Sequence, residues 1–173
     1  MTEREIDQKQ TGSEVKTFPV PFALENITII TSNPSKEELI KKAFKFHSQG
    51  KISEAAKYYQ DFIDQGFTDH RVFSNYGVIL QDIGELKEAE LYTRKAIEIK
   101  PDFPEAYLNL GNILQGLGKL KEAEISTRKA IELNPHFAAA HSNLGGILRD
   151  LGNLQEAEAS TRKAIELNPH FAE

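Results

Sequence analysis

The sequence predicts an all-α fold, a solenoid of about four helical hairpins, and three observations predict it. The first is a period. Pro104–Phe137 returns 34 residues later as Ala138–Phe171 with 24 identical positions. His70–Phe103 shares Asn75, Gly77, Leu80, Gly84, Ala89, Ala96 and Pro101 with it in register. A fixed period of this size is the mark of stacked repeats. The second observation is helical spacing: positions 7, 10, 11 and 14 of the three regular repeats are apolar, as in Leu110, Ile113, Leu114 and Leu117, which lie on one face of a helix. A second stripe follows at Leu120, Ala123, Thr127, Ala130 and Ile131. The third is punctuation. Position 15 is Gly50, Gly84, Gly118 or Gly152, residues that tolerate a left-handed helix end, and Pro101, Pro135 and Pro169 stop the second helix. Each repeat therefore reads as helix A, a tight turn and helix B. Gly77, Gly111 and Gly145, with alanines such as Ala123 and Ala130, are small enough to let A and B approach closely.

Taken in order, residues 1–14 are polar, without periodicity, and are expected to be disordered. Residues 15–35 form an extended apolar segment in which Pro19 and Pro21 forbid a regular helix. It reads as a strap packed across the first repeat or as a partner-docking segment. Asn33 and Pro34 suit an N-cap and first helical residue, and Ser35 with Glu38 suits a capping box. The repeat domain spans 36–171, with repeats at 36–69, 70–103, 104–137 and 138–171. The first is degenerate: Gly50, Ala55 and Tyr59 keep register, but Phe62 and Phe67 replace a small residue and a proline. Residues 172–173 begin a further repeat. Helix B carries Glu90–Arg94, Glu124–Arg128 and Glu158–Arg162 in the favourable i,i+4 order, and this face reads as solvated and laced with ion pairs.

Composition excludes several functions. A net charge of −5 argues against an unselective grip on nucleic acid, which needs a basic face. With no cysteine, disulfides and thiolate metal sites are ruled out, and a reducing, cytoplasmic setting is expected. No apolar run is long enough to span a membrane. The five histidines form no metal-binding spacing, and His141 takes the aromatic position 4. There is no glycine-rich phosphate loop and no nucleophile beside an activating base. No catalytic residue, metal or cofactor is expected, and neither nucleic acid nor membrane is an expected partner.

Phe73 and Tyr107 at position 4, Leu-Gly at 7–8, Gly at 15, Ala at 20 and 27 and Pro at 32 resemble the tetratricopeptide repeat. The resemblance implies a right-handed superhelix whose A helices line a concave groove, and a non-catalytic scaffold that binds proteins or peptides. Position 6 is asparagine in three consecutive repeats, Asn75, Asn109 and Asn143. It lies off the core stripe, where packing does not ask for a mediocre helix former. In this the repeats resemble the superhelix of the O-linked N-acetylglucosamine transferases, where such asparagines grip the backbone of an extended polypeptide. An amide offers both donor and acceptor to a peptide unit. Alternatively, the asparagines bond within the scaffold or are simply inherited with the duplicated repeat. Val78, Gln81, Asp82, Asn112, Gln115, Arg149 and Asp150 are the other candidate groove residues. The related chaperone-tail clamp requires lysine at position 5, where this chain has Ile40, Ser74, Leu108 and Ser142, so that specificity is not expected. Two further readings remain: a substrate-recruiting arm of a glycosyl-, sulfo- or methyltransferase whose catalytic domain lies elsewhere, and self-association through the last helix. There Ala157, Thr161, Ala164 and Ile165 are expected to be exposed.

Overall fold

A computed structural model describes residues 33–169, and it contains eight helices and no strand among them. The expectations for residues 1–14, for most of the 15–35 segment and for 172–173 lie outside the described residues. The helices are α1 (Lys36–Ser48), α2 (Ile52–Asp64), α3 (His70–Asp82), α4 (Leu86–Ile99), α5 (Pro104–Gly116), α6 (Leu120–Leu133), α7 (Ala138–Asp150) and α8 (Leu154–Leu167). Odd-numbered helices are A helices and even-numbered ones B helices. Each hairpin partner is packed along its full length, and each B helix also packs on the A helix that follows. The fold is an all-α solenoid of four hairpins.

Local chemistry sets the boundaries. Ser35 caps α1: its hydroxyl accepts from the Glu38 backbone N–H at 3.3 Å, and the Glu38 carboxylate accepts from the Ser35 N–H at 3.0 Å. This is the expected capping box. The expectation of Asn33 as N-cap and Pro34 as first helical residue is corrected, because the reciprocal Ser35–Glu38 pair satisfies two orphan donors where a lone asparagine satisfies one. Every A helix ends at its position-15 glycine. In the third repeat the Gly118 N–H reaches the Gln115 carbonyl and the Lys119 N–H reaches back to Leu114, both at 2.9 Å, with Gly118 at φ 73°. This is a Schellman closure. B helices stop for a different reason. Lys100, Asn134 and Asn168 each precede a proline and adopt extended backbone with ψ of 90–99°, the conformation that a following proline ring enforces. In the first repeat, which lacks the proline, Gly66 at φ 75° ends α2 instead.

The core is built by the predicted stripes: Leu110, Ile113 and Leu114 of α5 are buried with Ala123, Thr127 and Ala130 of α6. Consecutive A helices α3, α5 and α7 touch directly, whereas consecutive B helices are joined by long side chains. Arg94 bonds Glu90 on its own helix at 2.8 Å and Glu122 on the next B helix at 3.2 Å. Arg128 repeats this with Glu124 and Glu156 at 2.9 and 2.6 Å. The A row is therefore the more closely spaced of the two. The face read as solvated and laced with ion pairs thus also straps one repeat to the next.

Glu90 is the most committed member of that strap. Its side chain is 15% exposed and receives Lys119 Nζ and Arg94 Nη2, each at 2.8 Å. The bond from Lys119, with those from Arg94, holds its carboxyl below the usual glutamate range against the opposing effect of burial. A depressed folded-state pKa gives stability that is present above the unfolded value and lost as pH falls through the folded one. Glu90→Gln is therefore expected to lower stability by about 0.5–1 kcal/mol at pH 7, with the difference from wild type vanishing in strong acid. Urea unfolding at both pH values checks this; an equal deficit at both would assign the loss to packing.

Candidate functional site

On an A helix, positions 2, 6, 9 and 13 share one flank, because residues three and four apart lie side by side. The consequence in α3, α5 and α7 is a polar strip running from repeat to repeat. Asn75, Asn109 and Asn143 all lie on it and are half-buried. Two of them are held by the scaffold. The Asn109 amide donates from Nδ2 to Ser74 Oγ on the previous A helix at 3.1 Å. Asn143 Nδ2 donates to Asn112 Oδ1, again one A helix back. Asn75 lies beside the hydroxyl of Tyr59 of α2, which is 3.0 Å from His47 Nδ1 of α1. Asn109 and Asn143 therefore bond within the scaffold, as one reading of the sequence had it, through one bond each. An amide side chain carries two N–H donors and two acceptor lone pairs, so one such bond orients the group without exhausting it.

The other candidates separate into two groups. Asn112, Gln115, Asn143 and Asp150 come together between α5 and α7, where Gln115 Nε2 donates to Asp150 Oδ2 at 2.6 Å. Arg149 stands beside them, 3.8 Å from the Asp150 carboxylate, with a side chain 72% exposed. Val78 and Gln81 are half-buried and Asp82 is exposed on α3, and none of the three takes part in the side-chain hydrogen bonds of that cluster. Sequence reasoning missed Ser74, which is buried and serves as the Asn109 acceptor. It also missed Tyr59, His47, Tyr76 and Gln60, the last two joined by a 2.9 Å bond from the Tyr76 hydroxyl. The signal for Ser74 lies in its type: a small polar residue adjoins Asn75 and Asn143, as Ser74 and Ser142, where Asn109 has Leu108 beside it.

At the last helix one expectation is corrected. Ala157 and Ala164 are buried, at 7% and 1% exposure, while Thr161 and Ile165 are exposed as expected. Positions 20 and 27 point into their own hairpin, as Ala157 does toward Leu144 and Leu148 of α7; a following repeat is not needed to cover them. Among the described residues, no group of three or more His, Cys, Asp or Glu is placed to hold a metal ion. No described helix is long and apolar enough to cross a membrane.

Comparison with known proteins follows the same lines. The tetratricopeptide repeat model matches residues 104–137 and 138–171, and a second TPR repeat model matches 77–118. No curated protein matches in sequence. Among solved structures, MamA is similar at 23% identity and a TM-score of 0.72, over 80% of this chain and 81% of that one. YrrB, described as a TPR protein with an unusual peptide-binding site, is similar at 23% identity and a TM-score of 0.70, over 78% and 70% of the two chains. The first TPR of Spaghetti (RPAP3), bound to the HSP90 peptide SRMEEVD, is similar at 25% identity and a TM-score of 0.64, over 68% and 93%. The repeat models together span more than half of the chain, and they fall on the hairpins described above: this protein belongs to the tetratricopeptide repeat family.

Proposed function

We propose that this protein is a non-catalytic scaffold that holds an extended polypeptide along the inner, A-helix face. The observation that carries this reading is the placement of Asn75, Asn109 and Asn143 on successive A helices, all half-buried, with Asn109 and Asn143 each oriented by one scaffold bond. Packed helices lie about 8–10 Å apart, so successive amides match about three residues of extended chain at roughly 3.3 Å each. The peptide-bound RPAP3 repeat and the peptide-binding site named for YrrB support a peptide partner. Position 5 lacks lysine throughout, so the acidic chaperone tail is not the partner this groove is built for.

Three amide hydrogen bonds contribute about 1.5–4.5 kcal/mol, short of the roughly 8.2 kcal/mol of a micromolar complex. The Asn112–Gln115–Asp150 cluster and Arg149 supply further contacts, and side-chain specificity resides there. The test uses a peptide selected on the full chain from a displayed random library. The triple variant N75A/N109A/N143A is expected to bind it from tenfold to about a thousandfold more weakly, with its helical circular dichroism retained. Unchanged affinity would sink the asparagine ladder.

A second reading, association of two copies through the last helix, is favoured by Leu154 and Ile165, which are 66% and 36% exposed and line one open cleft with Thr161. Sedimentation equilibrium of the full chain decides it, and a monomer at high micromolar concentration rules it out.

A further inference from the structure

On the opposite, B-helix face, the interface between two repeats contains a niche framed by the same repeat positions each time. Between the first and second repeats it is full. Tyr92 of α4 occupies it, with its ring centroid 5.1 Å from Tyr76 and 6.0 Å from Phe73 and with Lys95 Nζ 5.0 Å above the ring; Ile63 of α2 packs with it on the same Phe73–Ala96–Ala106 cluster. Position 23, which supplies that ring, is serine in the next two repeats, Ser126 and Ser160. There the niche is open. The cleft at Ser126 has a volume of about 650 Å³ and is walled by Ile97, Tyr107, Leu110 and Lys129. These stand where Ile63, Phe73, Tyr76 and Lys95 surround Tyr92. The cleft at Ser160, of about 480 Å³, repeats the frame with Ile131, His141, Leu144 and Lys163.

We propose that the Ser126 cleft is a binding site for an aromatic side chain, tyrosine above all, presented by a partner polypeptide. The molecule itself shows what fits: one copy of the frame holds a phenol ring supplied by its own chain. Three features carry over to the empty copy. An apolar floor remains in Leu110 and Ile97, with Ile125 standing 69% exposed at the edge. Tyr107 takes the place of Phe73 as the aromatic wall, suited to an offset or edge contact. The lysine is also kept, but it has changed partner: Lys129 Nζ bonds Glu132 at 2.6 Å and Lys163 Nζ bonds Glu166 at 3.0 Å, whereas Lys95 lies over its ring. Both arrangements lie within reach of one flexible side chain, and a ring entering the cleft recovers the cation–π contact. A saturated aliphatic side chain of similar size gains the burial but not that contact, which makes the site selective for aromatics.

The test uses p-cresol, the tyrosine side chain alone, titrated into the full protein with isoleucine and leucine methyl groups followed by NMR. Saturable shifts are expected at Ile97, Leu110 and Ile125, with 4-methylcyclohexanol binding at least threefold more weakly. Ser126→Tyr supplies the ring in cis, as the second repeat does, and is expected to weaken p-cresol binding at these methyls at least tenfold. Ser160→Tyr is expected to leave them unchanged, and it provides the same experiment at the second cleft should the first variant fold poorly. No saturable shift up to the solubility of p-cresol, equal binding of the saturated ring, or shifts that survive in a folded Ser126→Tyr would each overturn the proposal.

Discussion

Replacing Gly111 with alanine is expected to destabilise the protein by about 1–3 kcal/mol, although alanine is the better helix former by about 1 kcal/mol. The reason is the contact between the two helices of a hairpin. A Cβ at Gly111 would overlap the Thr127 hydroxyl oxygen and lie 3.5 Å from the Thr127 Cβ and 3.4 Å from the Ala123 carbonyl. Thr127 is fully buried, and a β-branched side chain in a helix has few rotamers into which it can retreat. The same glycine–threonine contact recurs at Gly77–Thr93 and Gly145–Thr161, so this is the close approach on which the hairpin geometry rests. The double variant G111A/T127A separates this cause from helix propensity. Removing the hydroxyl leaves the two Cβ atoms in ordinary contact, and it deletes a buried oxygen that has no hydrogen-bond partner among the described residues. The double variant is therefore expected to recover most of the loss in urea unfolding. Additive losses from the two changes would show that α5 and α6 are not held together at this point.

Much of this was legible in the chain, and the boundary of legibility has a physical form. Features enforced within one hairpin could be read directly: the left-handed Gly118, the stop before Pro135, and the stripe of Leu110, Ile113 and Leu114. Each depends on neighbours a few residues away. What passed unread crosses the period. Arg94 to Glu122 and Lys119 to Glu90 span 28 and 29 residues, and they are visible only once adjacent B helices lie side by side. Asn109 to Ser74, 35 residues apart, belongs to the same class. The asparagines stand out because they are costly in a helix; that Asn109 and Asn143 are tied to the previous repeat is a fact of stacking, which residue type does not encode. The degenerate first repeat was hardest. There Tyr59 replaces the threonine of the close contact and turns instead into an aromatic cluster with Phe44, His47 and Tyr76.

That substitution makes the first repeat the alkaline weak point of the scaffold. Tyr59 is fully buried. Burial pushes its hydroxyl from 10.0 up to about 12, against the opposing effect of the Asn75 side chain beside it. A raised folded-state value means that between these limits the unfolded chain has released a proton that the folded chain retains, so stability is whole below pH 10 and drains away as pH climbs through 12. At about 1.36 kcal/mol per unit, the loss is about 2–3 kcal/mol. Tyr76, also raised chiefly by burial, adds to it in the same direction. Tyr59→Phe keeps the ring and removes the titrating group. Its stability is expected to lie about 1 kcal/mol below wild type at pH 8, through the lost bond to His47. It is then expected to fall less steeply toward pH 12, so that the two curves converge or cross. Urea unfolding from pH 8 to 12, paired with tyrosinate absorbance near 295 nm, follows both quantities at once. Parallel curves would locate the alkaline loss in the lysines instead. The same variant takes away the hydroxyl that stands beside Asn75, so weaker peptide binding by a folded Tyr59→Phe protein would connect the buried hydroxyl of α2 to the first amide of the groove.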